Sequence, residues 1–295
     1  MHEPAARRLL VIGRPSARVR ASGRRTVVRG LTYIALGVGA LAMMFPFAWM
    51  VSTSLTADAQ LFATPPRLIP EPVQPQNYER IFQAFPMGRF VLNSLVVAGV
   101  STLLQLITSA MAAYAFARIR FRGRDALFFI YLATLMVPMQ VIVVPLFIEM
   151  RLLGLVNTYQ ALILPGIASA FGTFLLRQYM LTLPVELEEA AVIDGASRWK
   201  IFTRIVVPLS GPALATFGIF AFMASWNAFL WPLLIVSDTS LMTLPVGLSH
   251  LHGRYTTDWN LVMAGATVSV IPIVLVYLAA QRYVVRGIAL SGLKG

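Results

Sequence analysis

The segment LPVELEEAAVIDGASRWKIF, residues 183–202, lies between two long apolar segments and carries too many charges to cross a membrane itself. Its pattern predicts a short helix with Pro184 in the first turn and Gly195 as the C-terminal cap. Near the positive end of the dipole of this helix lie three glutamates, Glu186, Glu188 and Glu189. We therefore predict a helix that lies outside the membrane and joins two membrane spans.

One face of this predicted helix carries mostly small and apolar side chains. The residues that recur there at spacings of three and four are Leu187, Ala190, Ala191 and Asp194. Ser197 is placed to cap a second short helix that continues through Phe202. A short helix with such a face can dock closely into a groove of another protein.

The composition of the whole chain is that of a membrane protein. Of its 295 residues, 58% are hydrophobic and only 12% are charged, and the mean hydropathy is +0.74. Soluble domains contain about 25% charged residues. The apolar segments extend over nearly the whole chain, which indicates a single transmembrane domain over residues 30–295, preceded by a basic arm over residues 1–29.

Six apolar segments are long enough to cross a hydrocarbon core of about 30 Å as helices. They predict an all-α membrane protein with six transmembrane helices, and proline interrupts several of them, which suggests kinks. The predicted spans are residues 31–51, 90–117, 126–148, 159–180, 207–236 and 261–284, and the prolines are Pro138, Pro145, Pro165, Pro232 and Pro272. Between the first two spans, residues 52–88 form a proline-rich external loop in which we expect a short helix over residues 77–85.

The basic residues indicate the orientation of the chain. With the N-terminus inside, 19 of the 24 basic residues face the cytoplasm and 5 face the other side. This asymmetry predicts that both termini are cytoplasmic. The arm over residues 1–29 holds eight arginines and one acid, Glu3, and we expect it to be disordered. The net charge of +12 is thus explained by membrane topology, and no nucleic-acid partner is expected.

The segment around the predicted short helix resembles a known family. Glu189-Ala190-Ala191, Gly195 and the run Ile205-Val206-Val207-Pro208 are similar to the EAA loop of ABC importer permeases, with Val207 where leucine is usual. Further similarity to the carbohydrate-uptake branch, of the maltose and glycerol-phosphate type, covers residues from about 30 to the end. The matching stretches are Phe174 to Tyr179, Asp194-Gly195-Ala196, Trp226-Asn227 and residues 281–295.

This resemblance implies a type I ABC importer permease in the bacterial inner membrane, acting on a sugar or sugar-like solute. It further implies a second permease subunit, an ATPase dimer and an extracytoplasmic solute-binding protein as partners, besides membrane lipid. ATP and Mg are expected on the ATPase, and no cofactor on this chain. The residues expected to contact the ATPase, in a coupling helix, are Glu189, Ala190, Ala191, Asp194 and Gly195.

Several polar residues in or near the spans could line a path for the solute. Amide groups can hydrogen-bond sugar hydroxyls, and an indole can stack on a sugar ring. The alternative for each is an interhelical hydrogen bond or an aromatic residue at the membrane interface. The candidate residues are Asn93, Gln140, Trp226 and Asn227, with Gln105 as a further one.

Other functions have little support in the sequence. The only lysines, Lys200 and Lys294, do not follow glycine, so the chain has no phosphate-binding loop of its own. His250 and His252 lie in an external loop over residues 237–260, which we expect to face the binding protein rather than to bind a metal. The open alternatives are an ABC permease for a non-sugar solute and a secondary transporter. An enzyme is not expected, because no catalytic cluster is present.

Overall fold

The computed structural model describes residues 17–65, 67–251 and 258–291. Within these ranges the regular structure is helical and contains no strand, which confirms the predicted all-α fold. The first sixteen residues of the predicted basic arm and the last four residues of the predicted tail lie outside the described ranges. So do residues 252–257 of the predicted external loop, which include His252.

The chain divides into two compact units, Met1–Met50 and Val51–Gly295. The described part of the first unit belongs to helix α1, Ala17–Ser54. The apolar side chains of residues 28–49 are exposed, and that of Met43 is 77% exposed. Exposed apolar side chains over such a length suit a lipid environment. The prediction of a disordered arm is wrong for residues 17–29. These residues contain no proline and extend the helix of the adjoining span, and extending a helix costs less than starting one.

Helices in the second unit account for the remaining spans. Two are long enough to cross a membrane unbroken, and three further pairs of helices pass the same test of length and composition but are bent at a break. With the span Val28–Ser54 there are six crossings, as predicted, when each bent pair is one crossing. The unbroken spans are Met87–Arg118 and Trp259–Ala279; the bent pairs are Arg124–Met136 with Met139–Leu152 at 98°, Tyr159–Gly166 with Ala170–Met180 at 45°, and Arg198–Leu209 with Gly211–Trp226 at 77°.

Proline lies at or beside each of these three breaks, including Pro208 and Pro212 on either side of Ser210, but proline does not always produce a break. Pro138 lies at the 98° bend, and Pro165 lies in the short Leu164–Gly166 stretch at the 45° bend. By contrast Pro145 and Pro272 lie inside continuous helices. The 77° bend at Ser210 was not predicted.

The α-helices of the second unit differ widely in length. They are α2 (Gln76–Ala84), α3 (Met87–Arg118), α4 (Arg124–Ala133), α5 (Met139–Leu152), α6 (Tyr159–Ile163), α7 (Ala170–Met180), α8 (Glu186–Ile193), α9 (Arg198–Ile201), α10 (Val207–Leu209), α11 (Gly211–Trp226), α12 (Leu230–Ile235), α13 (Leu244–Ser249) and α14 (Trp259–Ser291). One π-helical turn, Phe202–Val206, joins α9 to α10. The short helix expected over residues 77–85 is confirmed as α2.

Helix α3 is the central element of the packing. It packs along α7 and α11, and α11 packs in turn on α14. Two apolar clusters lie along α3, one near its start around Phe90 and Trp226, the other near its end around Tyr114, Leu176 and Phe217. The second cluster lies next to α8, so α3 joins the region of α8 to the opposite end of the bundle.

Candidate functional site

Helix α8 is the predicted short helix between spans. It begins at Glu186, slightly later than predicted, so that Pro184 precedes the first turn. Its first turn contains the three glutamates, whose charges suit the positive end of the helix dipole. The apolar spans on either side and the charge of α8 place this helix at one end of the bundle.

The caps of α8 and α9 agree with the prediction. Gly195 has a φ of +75°, a left-handed conformation that glycine adopts without strain. The Gly195 N–H donates to the Val192 carbonyl at 3.0 Å, and the Ala196 N–H donates to the Ala191 carbonyl at 2.9 Å. These two bonds form a Schellman motif, which satisfies the last carbonyls of α8. Ser197 then caps α9, where its hydroxyl accepts the Lys200 N–H at 3.3 Å.

Four of the five predicted coupling residues are accessible. Glu189, Ala190, Asp194 and Gly195 are exposed, and Ala191 is half-buried against the second apolar cluster. Exposed apolar side chains border them, above all Ile193 at 85% and Trp199 at 62%. A surface of small, apolar and acidic side chains at a helix end suits a protein partner, because apolar contact supplies affinity and charge supplies orientation.

A buried ion pair beneath α8 is the main feature that the sequence analysis missed. Glu188 is only 5% exposed, and its Oε1 lies 2.9 Å from Nε of Arg118, the last residue of α3. Tyr114 donates its hydroxyl proton to the other carboxylate oxygen at 3.3 Å. No signal in the sequence indicated this pair, because Glu188 lies three residues before Ala191, on the face of the helix that was predicted to dock into a partner.

Arg118 also binds the backbone that leads into α8. Its Nη2 donates to the Met180 carbonyl at 2.7 Å and to the Leu183 carbonyl at 2.6 Å. A single guanidinium thus joins the end of α3, the end of α7 and the inner face of α8. The planar fork of arginine suits this role, because it can donate several hydrogen bonds in fixed directions.

A cavity of about 740 Å³ opens between the end of α3 and α8. Its lining combines both signs of charge with apolar side chains. The lining residues are Arg118, Ile119, Arg120, Val185, Glu188, Glu189, Val192, Ile193 and Arg198. The accessible face of α8 is therefore continuous with a groove that a partner could enter.

Of the four predicted pathway residues, Asn93 and Trp226 are buried, whereas Gln140 and Asn227 are exposed. Asn93 is fully buried, and its amide donates to the Ser240 carbonyl at 2.9 Å and to the Met242 carbonyl at 2.8 Å. Its carbonyl accepts the Tyr159 hydroxyl at 2.6 Å. Both amide protons of Asn93 are thus used within the chain, which matches the alternative of an interhelical hydrogen bond.

Trp226 is likewise part of the packing. It is 2% exposed, its indole N–H donates to the Ser269 carbonyl at 3.1 Å, and its ring stacks on Phe222 with centroids 5.8 Å apart. Gln140 and Asn227, by contrast, are exposed, near a break in a span and at the end of α11 respectively. In this structure Gln140 and Asn227 are therefore the accessible pair.

Replacing Asn93 with leucine is expected to destabilise the protein. The change leaves the buried Met242 carbonyl without its donor and the Tyr159 hydroxyl without its acceptor, and an unpaired buried group costs about 1–3 kcal/mol. Thermal unfolding of the purified transporter should therefore begin at a lower temperature. Asn227→Leu is the control, because Asn227 is exposed and its side chain bonds only the Met223 carbonyl four residues earlier. An equal loss of stability in both variants would contradict the assigned role of Asn93.

The described part of the predicted external loop is anchored by polar contacts. The Asn157 side-chain oxygen accepts the N–H groups of Ser237 and Asp238 at 2.6 and 3.1 Å. The Ser240 backbone N–H donates to Asp238 at 2.8 Å and holds the pKa of that carboxyl below its ordinary value. No group of three or more histidine, cysteine or acidic residues that could hold a metal ion occurs among the residues described.

Comparison with known proteins gives a consistent result. The family model described as "binding-protein-dependent transport system inner membrane component" matches residues 105–290. An arabinooligosaccharides transport system permease protein of Halalkalibacterium halodurans is 37% identical over 259 residues, covering 87% of this chain and 93% of that protein. An sn-glycerol-3-phosphate transport system permease protein of Yersinia pestis is 40% identical over 265 residues, covering 87% and 94%.

A solved structure has the same fold. One chain in the crystal structure of a bacterial ABC transporter involved in the import of the acidic polysaccharide alginate superposes with a TM-score of 0.77. It is 25% identical in sequence, and the match covers 92% of this chain and 99% of that one. The resemblance predicted from the segment around α8 is therefore confirmed, together with the type I permease fold.

Proposed function

Since the chain belongs to the family of binding-protein-dependent transport system inner membrane components, we propose that it carries a sugar or a sugar-like solute inward, using ATP hydrolysed on another chain. The chain is a membrane-spanning permease of an ABC importer, and α8 is proposed as the coupling helix. The observation that carries this proposal is the accessible face of α8, capped at Gly195 and placed between two spans. We assign no covalent chemistry to the chain.

The proposed assembly contains four kinds of protein. A second permease completes the membrane pathway, two ATPase subunits bind ATP and Mg, and an extracytoplasmic protein delivers the solute. Closure of the ATPase dimer would move each docked coupling helix, and that motion would convert the pathway between its two accessible states. Glu189, Ala190, Ala191, Asp194 and Gly195 are proposed to contact the ATPase, with Glu189 as the charge partner of a basic group there.

The orientation of the chain follows from its basic residues. We propose that both termini are cytoplasmic, because 19 of the 24 basic residues then face the cytoplasm. The same orientation exposes α8 to the cytoplasm, where an ATPase can reach it. Residues 237–251 and 258–260 would then lie on the outer side, available to the solute-binding protein.

The class of solute rests on the relatives. Their names specify arabinooligosaccharides in one case and sn-glycerol-3-phosphate in another, which supports a sugar or polyol derivative here. A non-sugar solute is the nearest alternative, and a screen of solutes against the cognate binding protein would separate the two. A secondary transporter would take up solute without ATP or partner subunits.

The first experiment is copurification of the tagged chain, expressed from its native gene neighbourhood in a mild detergent. We expect mass spectrometry to find a second permease and an ATPase with it, and the complex in vesicles to take up solute only with ATP and the binding protein. A chain that purifies alone and transports along an ion gradient would contradict the proposal.

The accessible pair of pathway candidates allows a finer test. Gln140→Ala and Asn227→Ala are each expected to raise the solute concentration for half-maximal uptake about two- to tenfold, the effect of losing one hydrogen bond. Gln178→Ala is the control, because Gln178 is also exposed but lies near the opposite end of its span, at the end of α7. Unchanged uptake in both test variants would remove this chain from the solute contacts.

A further inference from the structure

Glu188 differs from its neighbouring glutamates in its surroundings. Glu186 and Glu189 are exposed. Glu188 is buried, and among the side chains that the structure describes no other carboxylate is. Its side chain is 7% exposed and that of its partner Arg118 is 10% exposed. Removing two charges from water is costly, so a buried pair needs good geometry and further hydrogen bonds to persist. Tyr114 and the carbonyls of Met180 and Leu183 supply those bonds.

The pair joins α8 to the central element of the fold. Arg118 is the last residue of α3, which packs along α7 and α11. One turn earlier on α3, Tyr114 contacts Glu188 through its hydroxyl and Phe202 through its ring, with centroids 5.2 Å apart. Of the two contacts from α3 to Glu188, that of Tyr114 is a hydrogen bond and that of Arg118 is a close ion pair. Both hold Glu188 to particular atoms, whereas apolar surfaces can slide over one another.

We infer that the Arg118–Glu188 pair transmits displacement of α8 to α3, so that both side chains are positioning residues for coupling. This inference rests on the proposed function, since it takes α8 as the helix that the ATPase moves. Although Glu188 lines the groove, its side chain is 7% exposed and paired with Arg118, whereas Glu189 is exposed, so we assign docking to Glu189. A close ion pair and a hydrogen bond at the end of α3 would make α3 follow α8 rather than slip past it.

Glu188→Gln tests the inference in the complete importer. The change removes the charge, keeps the size of the side chain and leaves the docking face of α8 unaltered. We expect the complex to assemble and to hydrolyse ATP, while solute uptake per ATP falls about tenfold, within the range for residues that modulate coupling. The matched control is Glu186→Gln, which removes an exposed charge from the same helix turn and should leave uptake per ATP unchanged.

A double-mutant cycle provides the second measurement. Arg118→Met alone and Arg118→Met with Glu188→Gln should reduce uptake per ATP to the same level, because either change already breaks the link. A purely structural pair would instead lower the amount of assembled transporter while leaving uptake per ATP unchanged. That result would overturn the inference, as would additive losses in the cycle or an equal loss in Glu186→Gln.

The outcomes also separate this inference from the proposed function. If the unmodified complex shows no ATP-dependent uptake, the proposed function fails before any variant is compared. If the unmodified complex works and Glu188→Gln couples as efficiently, the function stands and the role of the pair is refuted.

Discussion

Replacing Gly195 with valine is expected to reduce ATP-driven uptake more than tenfold while the chain still inserts into the membrane. Gly195 has a φ of +75°, where an L-residue costs about 1–2 kcal/mol and a β-branched residue more. A Cβ at this position meets no atom within 4 Å, so backbone strain is the cause and not a steric clash. Relief of that strain would break the Schellman bonds and move the docking face of α8. Uptake and ATP hydrolysis in vesicles measure the effect.

Two further variants make this prediction specific. Gly195→Asn should couple nearly normally, because asparagine tolerates the left-handed region. Gly154→Val is the matched control, since Gly154 has a φ of +69° with no atom within 4 Å of an added Cβ, but it lies after α5 and away from α8. Normal uptake in Gly195→Val, or an equal loss of coupling in Gly154→Val, would refute the role of this cap.

Replacing Gly172 with alanine is expected to weaken the packing of α7 on α11. The added Cβ would overlap the ring of Phe217, which is almost fully buried. Overpacking of this kind costs about 1–3 kcal/mol, and Gly172→Leu should cost enough to prevent folding. The amount of protein in the membrane and the thermal unfolding of the purified transporter report the loss.

Gly218→Ala is the control for this variant. The nearest atom to an added Cβ at Gly218 is Cδ1 of Leu106, at an ordinary contact distance of 3.5 Å. This change should be tolerated, and the better helix propensity of alanine favours it by about 0.5–1 kcal/mol. Combining Gly172→Ala with Phe217→Leu should recover part of the lost stability. If Gly172→Ala were as stable as Gly218→Ala, the close approach of α7 to α11 would be wrong.

The sequence predicted well those features that depend on local chemistry. Apolar segments of sufficient length predicted all six crossings, since a chain in lipid must form its hydrogen bonds within each segment. The caps at Gly195 and Ser197 were predicted because each depends on the conformation of a few neighbouring residues. The EAA-like pattern of residues 189–208 was sufficient to identify the family, which the comparison confirmed.

Features that depend on neighbours distant in sequence were predicted less well. The bend at Ser210 was missed although Pro208 and Pro212 flank it, whereas Pro145 was expected to kink a helix that continues through it. Whether a proline bends a span depends on the helices that pack around it. The high charge of residues 17–29 predicted disorder, but their helix is continuous with the adjoining span.

The sequence by itself determined that this chain lies in a membrane, how often it crosses, and which short helix is available to a partner. Composition and local pattern carry that information, because the lipid and the backbone impose it on every segment. Only the tertiary structure decided that Glu188 faces inward to Arg118, and that Asn93 and Trp226 bond within the bundle. Those roles depend on which helices meet, and contacts between residues far apart in the chain leave no periodic signal in the sequence.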